Sequence, residues 1–162
     1  MEIAFEPLRF KHSAAVMDIL NYWAKTDTSL FANSVLPDEF FSALLKRSEN
    51  LSAYAVTLNG LIVGFCSLSP FNAFKSFEQT LSTTIFLNPK FISMGIGSAC
   101  LKKLESDAKR FGANCIVAEI SDENEKSISF HQKFGYELVG RLKKVASKFG
   151  RRFGIVYMQK FL

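Results

Sequence analysis

The stretch from Thr83 to Phe111 limits what this chain can fold into more than any other part. A run of strand formers, Thr83-Thr84-Ile85-Phe86-Leu87, is stopped by Pro89 and crosses a short loop holding Gly95 and Gly97. It then becomes a helix with apolar residues at Ile96, Ala99, Cys100, Leu104, Ala108 and Phe111. Strand, glycine loop and helix in that order suit an anion: glycine lets backbone approach a bulky phosphate, and a helix start offers unpaired N–H groups and partial positive charge. On this reading the amides of Met94 to Ser98 face a diphosphate. A turn leading into a core helix is the plain structural alternative.

Spacing sorts the glycine loops. A P-loop needs Gly-Lys-Ser/Thr after its first glycine, whereas Gly95 is followed by Ile96, Gly97, Ser98, Ala99 and Cys100. ATP or GTP hydrolysis is therefore not expected. A dinucleotide fingerprint wants a third glycine where Cys100 stands, and a strand running straight into the first glycine without Pro89 between.

The 162 residues lack a Ser/Gly/Pro-rich linker and fit one domain. No apolar run is long enough to span a bilayer, and Met1 to Arg9 carries Glu2 and Glu6 without a signal-peptide core. A cytoplasmic protein with no membrane contact is expected. Cys66, Cys100 and Cys115 have no metal-ligand spacing and sit in apolar elements, so buried reduced thiols and no metal are expected. The formal charge of +5 is concentrated in Arg141, Lys143, Lys144, Lys148, Arg151, Arg152 and Lys160. Without a recognition helix or stacking motif, this favours a small anionic cofactor, or a solvated face, over nucleic acid.

In chain order, Ile3 to Arg9 reads as a strand. A helix capped by Ser13 follows, with Val16, Ile19, Leu20 and Trp23 on one face. After a loop from Thr26 to Val35, Pro37 and Asp38 open a second helix carrying Phe40, Phe41, Leu44 and Leu45. Leu51 to Leu58 and Leu61 to Leu68 flank Asn59-Gly60, a strong hairpin signal. Pro70 to Glu78 is an aromatic loop, and Gln79 to Leu87 is the strand entering the glycine loop. The long helix closes near Gly112. Cys115 to Ile120 is a strand, about Glu125 to Phe134 a helix ended by Gly135, and Tyr136 to Leu142 and Arg152 to Phe161 are the last strands. The outcome is a mixed α/β layer structure with one helix-crossed parallel pair at its centre.

With these elements in place the sequence resembles the GNAT superfamily of acyl-CoA-dependent N-acyltransferases. The superfamily carries Arg/Gln-x-x-Gly-x-Gly/Ala after its fourth strand, Asn at the end of the fifth, and a helix ending Tyr-x-x-x-Gly-Phe. Here these are Gly95 and Gly97 with Ile92 at the Arg/Gln position, Asn124, and His131-Gln132-Lys133-Phe134-Gly135-Tyr136. The chain looks closest to the phosphinothricin and methionine sulfoximine acetyltransferases. Asn21, Thr26, Thr28 and Phe31 fit that subgroup, as do Asn88-Pro89-Lys90, Asn124 with Ser127 and His131, Lys148 with Gly150, and Gln159. It departs at Ser82, where the subgroup has a glutamate taken as general base, and at Arg152-Phe153-Gly154, where the subgroup has Trp-x-Asp.

The resemblance implies one GNAT-like domain over residues 1–162: a mixed sheet of about seven strands in the order βααβββαβαββ, flanked by helices. It implies acetyl-CoA as cosubstrate, with no metal, and acetyl transfer to the amine of a small molecule or amino-acid-like acceptor. A peptide N-acetyltransferase and a weak acyl-CoA-binding regulatory module are the alternatives. By the same resemblance Ile85, Phe86 and Leu87 hold the pantetheine arm and Ser93, Met94, Gly95, Ile96, Gly97 and Ser98 the diphosphate, joined by Asn124 and Ser127. His131 serves the leaving sulfur. Glu119, on the strand face of Val117 and Cys115, is a candidate base, with Glu78 second. Phe31, Phe77 and Ser82 border the acceptor, Phe71 and Phe74 extending an apolar wall; core filling or a homodimer contact also accounts for these aromatics.

Overall fold

A computed structural model describes residues 1–162. Seven strands, β1 (Ile3–Pro7), β2 (Ala53–Leu58), β3 (Leu61–Pro70), β4 (Thr80–Leu87), β5 (Cys115–Ser121), β6 (Glu137–Lys148) and β7 (Arg151–Phe161), form one sheet in the order β1-β2-β3-β4-β5-β7-β6. Every neighbouring pair is antiparallel except β4 with β5. Four helices, α1 (Ser13–Thr26), α2 (Glu39–Arg47), α3 (Ile96–Arg110) and α4 (Glu125–Lys133), cover its two faces. The parallel pair is joined through α3, the crossover such strands require.

Each face has its own core. Ile96, Cys100, Leu101, Leu104 and Ala108 of α3 pack on Val63, Leu81, Ile116, Ala118 and Ile120. On the other side Val16, Met17 and Leu20 of α1 and Phe41 of α2 pack on Ala55 and Phe65. Strand alternation divides the sheet in the same way: Leu81, Ile116 and Ala118 face α3, so Ser82, Val117 and Glu119 face the α1 side.

Local signals produce most of the boundaries. Asn59-Gly60 joins β2 to β3 with Leu58 opposite Leu61. Gly112 and Gly135 end their helices, and the Ala113 and Tyr136 amides return to the carbonyls of Ala108 and His131. Ser13 is not the cap of α1. A 3-10 turn, Phe10–His12, runs straight into the helix, and His12 Nδ1 accepts the Arg9 amide at 3.0 Å. The last hairpin is longer than composition suggests. β6 runs on to Lys148 across two irregularities and turns at Phe149-Gly150, both at positive φ. Cys66, Cys100 and Cys115 are buried free thiols.

Asp107 anchors α3 from beneath. It is 1% exposed and accepts from Ser52 at 2.8 Å, Tyr54 at 2.6 Å, Lys103 at 2.8 Å and also Arg110. Burial works against its charge, but these donors win and hold the carboxyl at about 2. A folded pKa below the unfolded value gives stability present above about pH 4 and lost as pH falls through 2. That depression corresponds to about 2 kcal/mol. Urea titrations at pH 5 and pH 2.5 are expected to show this loss in the parent chain and a much flatter acid slope in Asp107→Asn.

Candidate active site

The pairing of β4 with β5 stops early. Thr80, Leu81 and Ser82 pair with Cys115, Ile116 and Val117, and no later residue of β4 has a β5 partner. Thr83 to Leu87 remain paired with β3, from Leu68 to Gly64, while β5 stays on β7 as far as Ser121 opposite Ile155. A gap therefore opens from Ser82 toward the start of α3, edged by the main-chain groups of Ile85 and the N–H of Leu87, which face away from β3, while Phe86 is turned toward Phe65. Trp23 steadies the far end of β4 by donating its indole N–H to the Leu87 carbonyl at 2.7 Å.

At that end the chain presents donors. Asn88 Oδ1 accepts the Lys90 amide at 3.0 Å and shapes the turn Pro89–Phe91. Gly95 then takes a left-handed φ of 80° with nothing within 4 Å of its missing Cβ. The first bond of α3 runs from the Ala99 amide to the Gly95 carbonyl, so no backbone N–H from Ile92 to Ser98 donates within the chain. Such a ring of free amides at a glycine-opened helix start fits a diphosphate. Residues Ser93, Met94, Gly95, Ile96, Gly97 and Ser98 all belong to it.

The face opposite α3 carries the residues expected to border an acceptor. Ser82 sits beside Val117, and Glu119, exposed, is opposite Tyr157. Phe77 and Phe31 border opposite ends of this face. Phe77 stacks near Phe71 at 5.9 Å, and Phe31 lies 6.1 Å from Phe153. The loop after α1 is fixed over the end of β5. Thr28 and Ser121 share a buried hydroxyl contact at 2.6 Å, and the Lys148 ammonium donates to the carbonyls of Asp27 and Leu30 at 2.6 and 2.7 Å. Burial lowers the pKa of that lysine.

Asn124 caps α4 by accepting the Ser127 amide at 3.1 Å and donates to Ser29 Oγ at 3.1 Å. It thereby joins the loop after α1 to the helix that carries His131. His131 is buried, on the α3 side of the sheet, edge-on to Phe130 and Tyr136. Burial pushes its pKa down against the upward pull of the Ser127 carbonyl and Glu105. In the neutral ring Nδ1–H donates to the Ser127 carbonyl at 2.8 Å, which leaves Nε2 as an acceptor. His131 and Glu119 thus stand on opposite sides of the sheet.

Two features were invisible in sequence. Most of the C-terminal basic residues are engaged: Arg141 with Asp122, Arg151 with Glu123, Lys160 with Glu105, and Lys148 as above. The acidic group missing at Gly154 has a counterpart in the turn after β5, where Asp122 fills the volume a side chain there would need. Its carboxylate accepts the Gly154 amide and Arg141, each at 2.9 Å. A Cβ at 154 would collide with the Leu142 carbonyl and with Asp122. Gly154→Ala is expected to cost about 3 kcal/mol in chemical denaturation. A loss below about 1 kcal/mol would show that this corner yields freely.

A sheet parted between two central parallel strands, with free amides where the gap meets a helix, defines a protein of the acyl-transfer class. Residues 17–136 match the Acetyltransferase (GNAT) family. The chain belongs to that family of enzymes. It is 27% identical over 149 residues to the L-amino acid N-acyltransferase MnaT of Escherichia coli, covering 90% of this chain and 86% of the relative. It is 28% identical, with the same coverage, to the L-methionine sulfoximine/L-methionine sulfone acetyltransferase of Salmonella typhimurium. It shares its fold with the phosphinothricin acetyltransferase of Sinorhizobium meliloti, solved in complex with acetyl-CoA. There the TM-score is 0.93 at 21% identity, over 100% of this chain and 89% of that one. No helix is long and apolar enough to cross a membrane.

Proposed function

We propose that this enzyme transfers the acetyl group of acetyl-CoA to the amine of a small-molecule acceptor of about amino-acid size, in the cytoplasm. The observation that carries the reading is the gap between β4 and β5 leading to the free amides of Ile92 to Ser98. Ile85 and Leu87, on either side of Phe86, extend main-chain pairing to the pantetheine arm, and an amide of this strand near Leu87 polarises the thioester carbonyl. Asn124 and Ser127 hold α4 against the arm.

The acceptor arrives as an ammonium on the Glu119 side, and Glu119, directly or through water, passes its first proton to solvent. The neutral amine attacks the acetyl carbon, the C–S bond breaks, and the second amine proton travels through His131 Nε2 to the departing sulfur. The ring starts and ends uncharged, in keeping with its buried setting. The products are an N-acetyl amide and CoA thiol.

A free-thiol release screen with acetyl-CoA against amines, amino acids and peptides tests this. At least one acceptor is expected to give CoA and acetylated product in equal amounts. Release no faster than spontaneous hydrolysis across the whole panel would overturn it.

A further inference from the structure

On the acceptor face a cavity of about 420 Å³ opens beside the point where β4 and β5 part. Val117, the last β5 residue paired with β4, lines it, together with Phe71 and Phe77 from the β3–β4 connection, Val139 of β6 and Tyr157 of β7. None of its nine lining residues is charged. The side-chain amide of Gln159, one of its polar groups, already donates to Cys115 Sγ at 3.2 Å.

The nearby charges on the flanking face and loop are mostly negative or already paired. Glu119 is opposite Tyr157, and after burial it is the Glu119 carboxylate that raises the Tyr157 pKa, so its charge is felt at the cavity wall. Glu78 follows Phe77. Among the cations, Lys75 is exposed and outside the lining, Arg141 is tied to Asp122 at 2.9 Å, and Lys148 is committed to two carbonyls. A free amino acid with its amine at the gap would carry its carboxylate against apolar walls and a like charge, with the neutral hydroxyls of Thr80 and Tyr157 in the lining but no cation there to balance it. An ammonium meets the opposite conditions.

Resting on the acetyl-transfer reading above, we propose that the acceptor is a primary amine with an apolar or aromatic tail and no carboxylate on the amine-bearing carbon. The tail occupies the cavity between Phe71 and Phe77 on one side and Val117 and Tyr157 on the other. This chain then departs from the amino-acid substrates for which its relatives are named.

Matched pairs test the proposal: phenylalanine with 2-phenylethylamine, methionine with 3-(methylthio)propylamine, and leucine with isoamylamine, each assayed for thiol release with acetyl-CoA. The amine is expected to exceed its parent acid in kcat/KM by about 100-fold or more. Acids used equally well or better would overturn it. Val139, 53% exposed at the cavity rim, offers a second readout. Val139→Arg is expected to narrow the ratio at least about tenfold, through a lower KM for the acids, and Val139→Gln is expected not to. An unchanged ratio in Val139→Arg counts against the proposal. Should no acceptor turn over at all, the transfer reading fails, while selectivity is still read from calorimetry of the same pairs in the presence of CoA. Binding of the amines alone supports the inference; equal binding of the acids, or binding of neither, overturns it.

Discussion

Replacing Gly97 with glutamate is expected to weaken acetyl-CoA binding by about 100-fold or more while leaving the fold intact. A Cβ at this position meets only the Phe130 ring, at 3.7 Å, and the tip of Leu87, at 3.9 Å, so the change is sterically mild. A carboxylate in the first turn of α3 also complements the helix dipole, and glycine is a poor helix former, so the melting temperature should hold or rise. The same carboxylate stands among the free amides of Ile92 to Ser98 and competes for the donors proposed for the diphosphate. Calorimetric titration alongside thermal denaturation separates the two effects. An unchanged Kd in a normally folded variant would move the diphosphate elsewhere.

His131→Ala is expected to lower kcat about 100-fold with the acetyl-CoA Kd changed less than about twofold. The ring is held through Nδ1 by the Ser127 carbonyl and flanked by Phe130 and Tyr136, and it supplies none of the free amides of the helix start. In the proposed transfer its loss removes a proton path rather than an anchor. His131→Gln keeps most of the volume and is expected to be equally slow. A full rate in either variant would leave the leaving sulfur to solvent.

Features encoded over a few residues were legible in the sequence. The Gly95 and Gly97 loop, the Asn59-Gly60 hairpin and the glycine helix ends all appear where local rules put them. The placement of Glu119 with Val117 and Cys115 follows from alternation alone. What escaped depends on partners far away in the chain. Lys148 reads as one more surface cation until β6 carries it beneath the loop at Asp27 and Leu30. Gly154 reads as a lost acid until Asp122 is found in its place. The length of β6 was hidden by its run of basic residues, which a strand exposed along most of its length tolerates. The apolar wall around Phe71 and Phe77 was visible as composition, but the cavity it lines with Val117 and Tyr157 required the β4–β5 register.

The main-chain donors ahead of α3 are proposed to grip the diphosphate of acetyl-CoA. Isothermal titration of the unaltered chain with acetyl-CoA tests it most directly. Saturable binding of one equivalent, accompanied by a rise in melting temperature, is the predicted result; no heat and no thermal shift at millimolar ligand would contradict it.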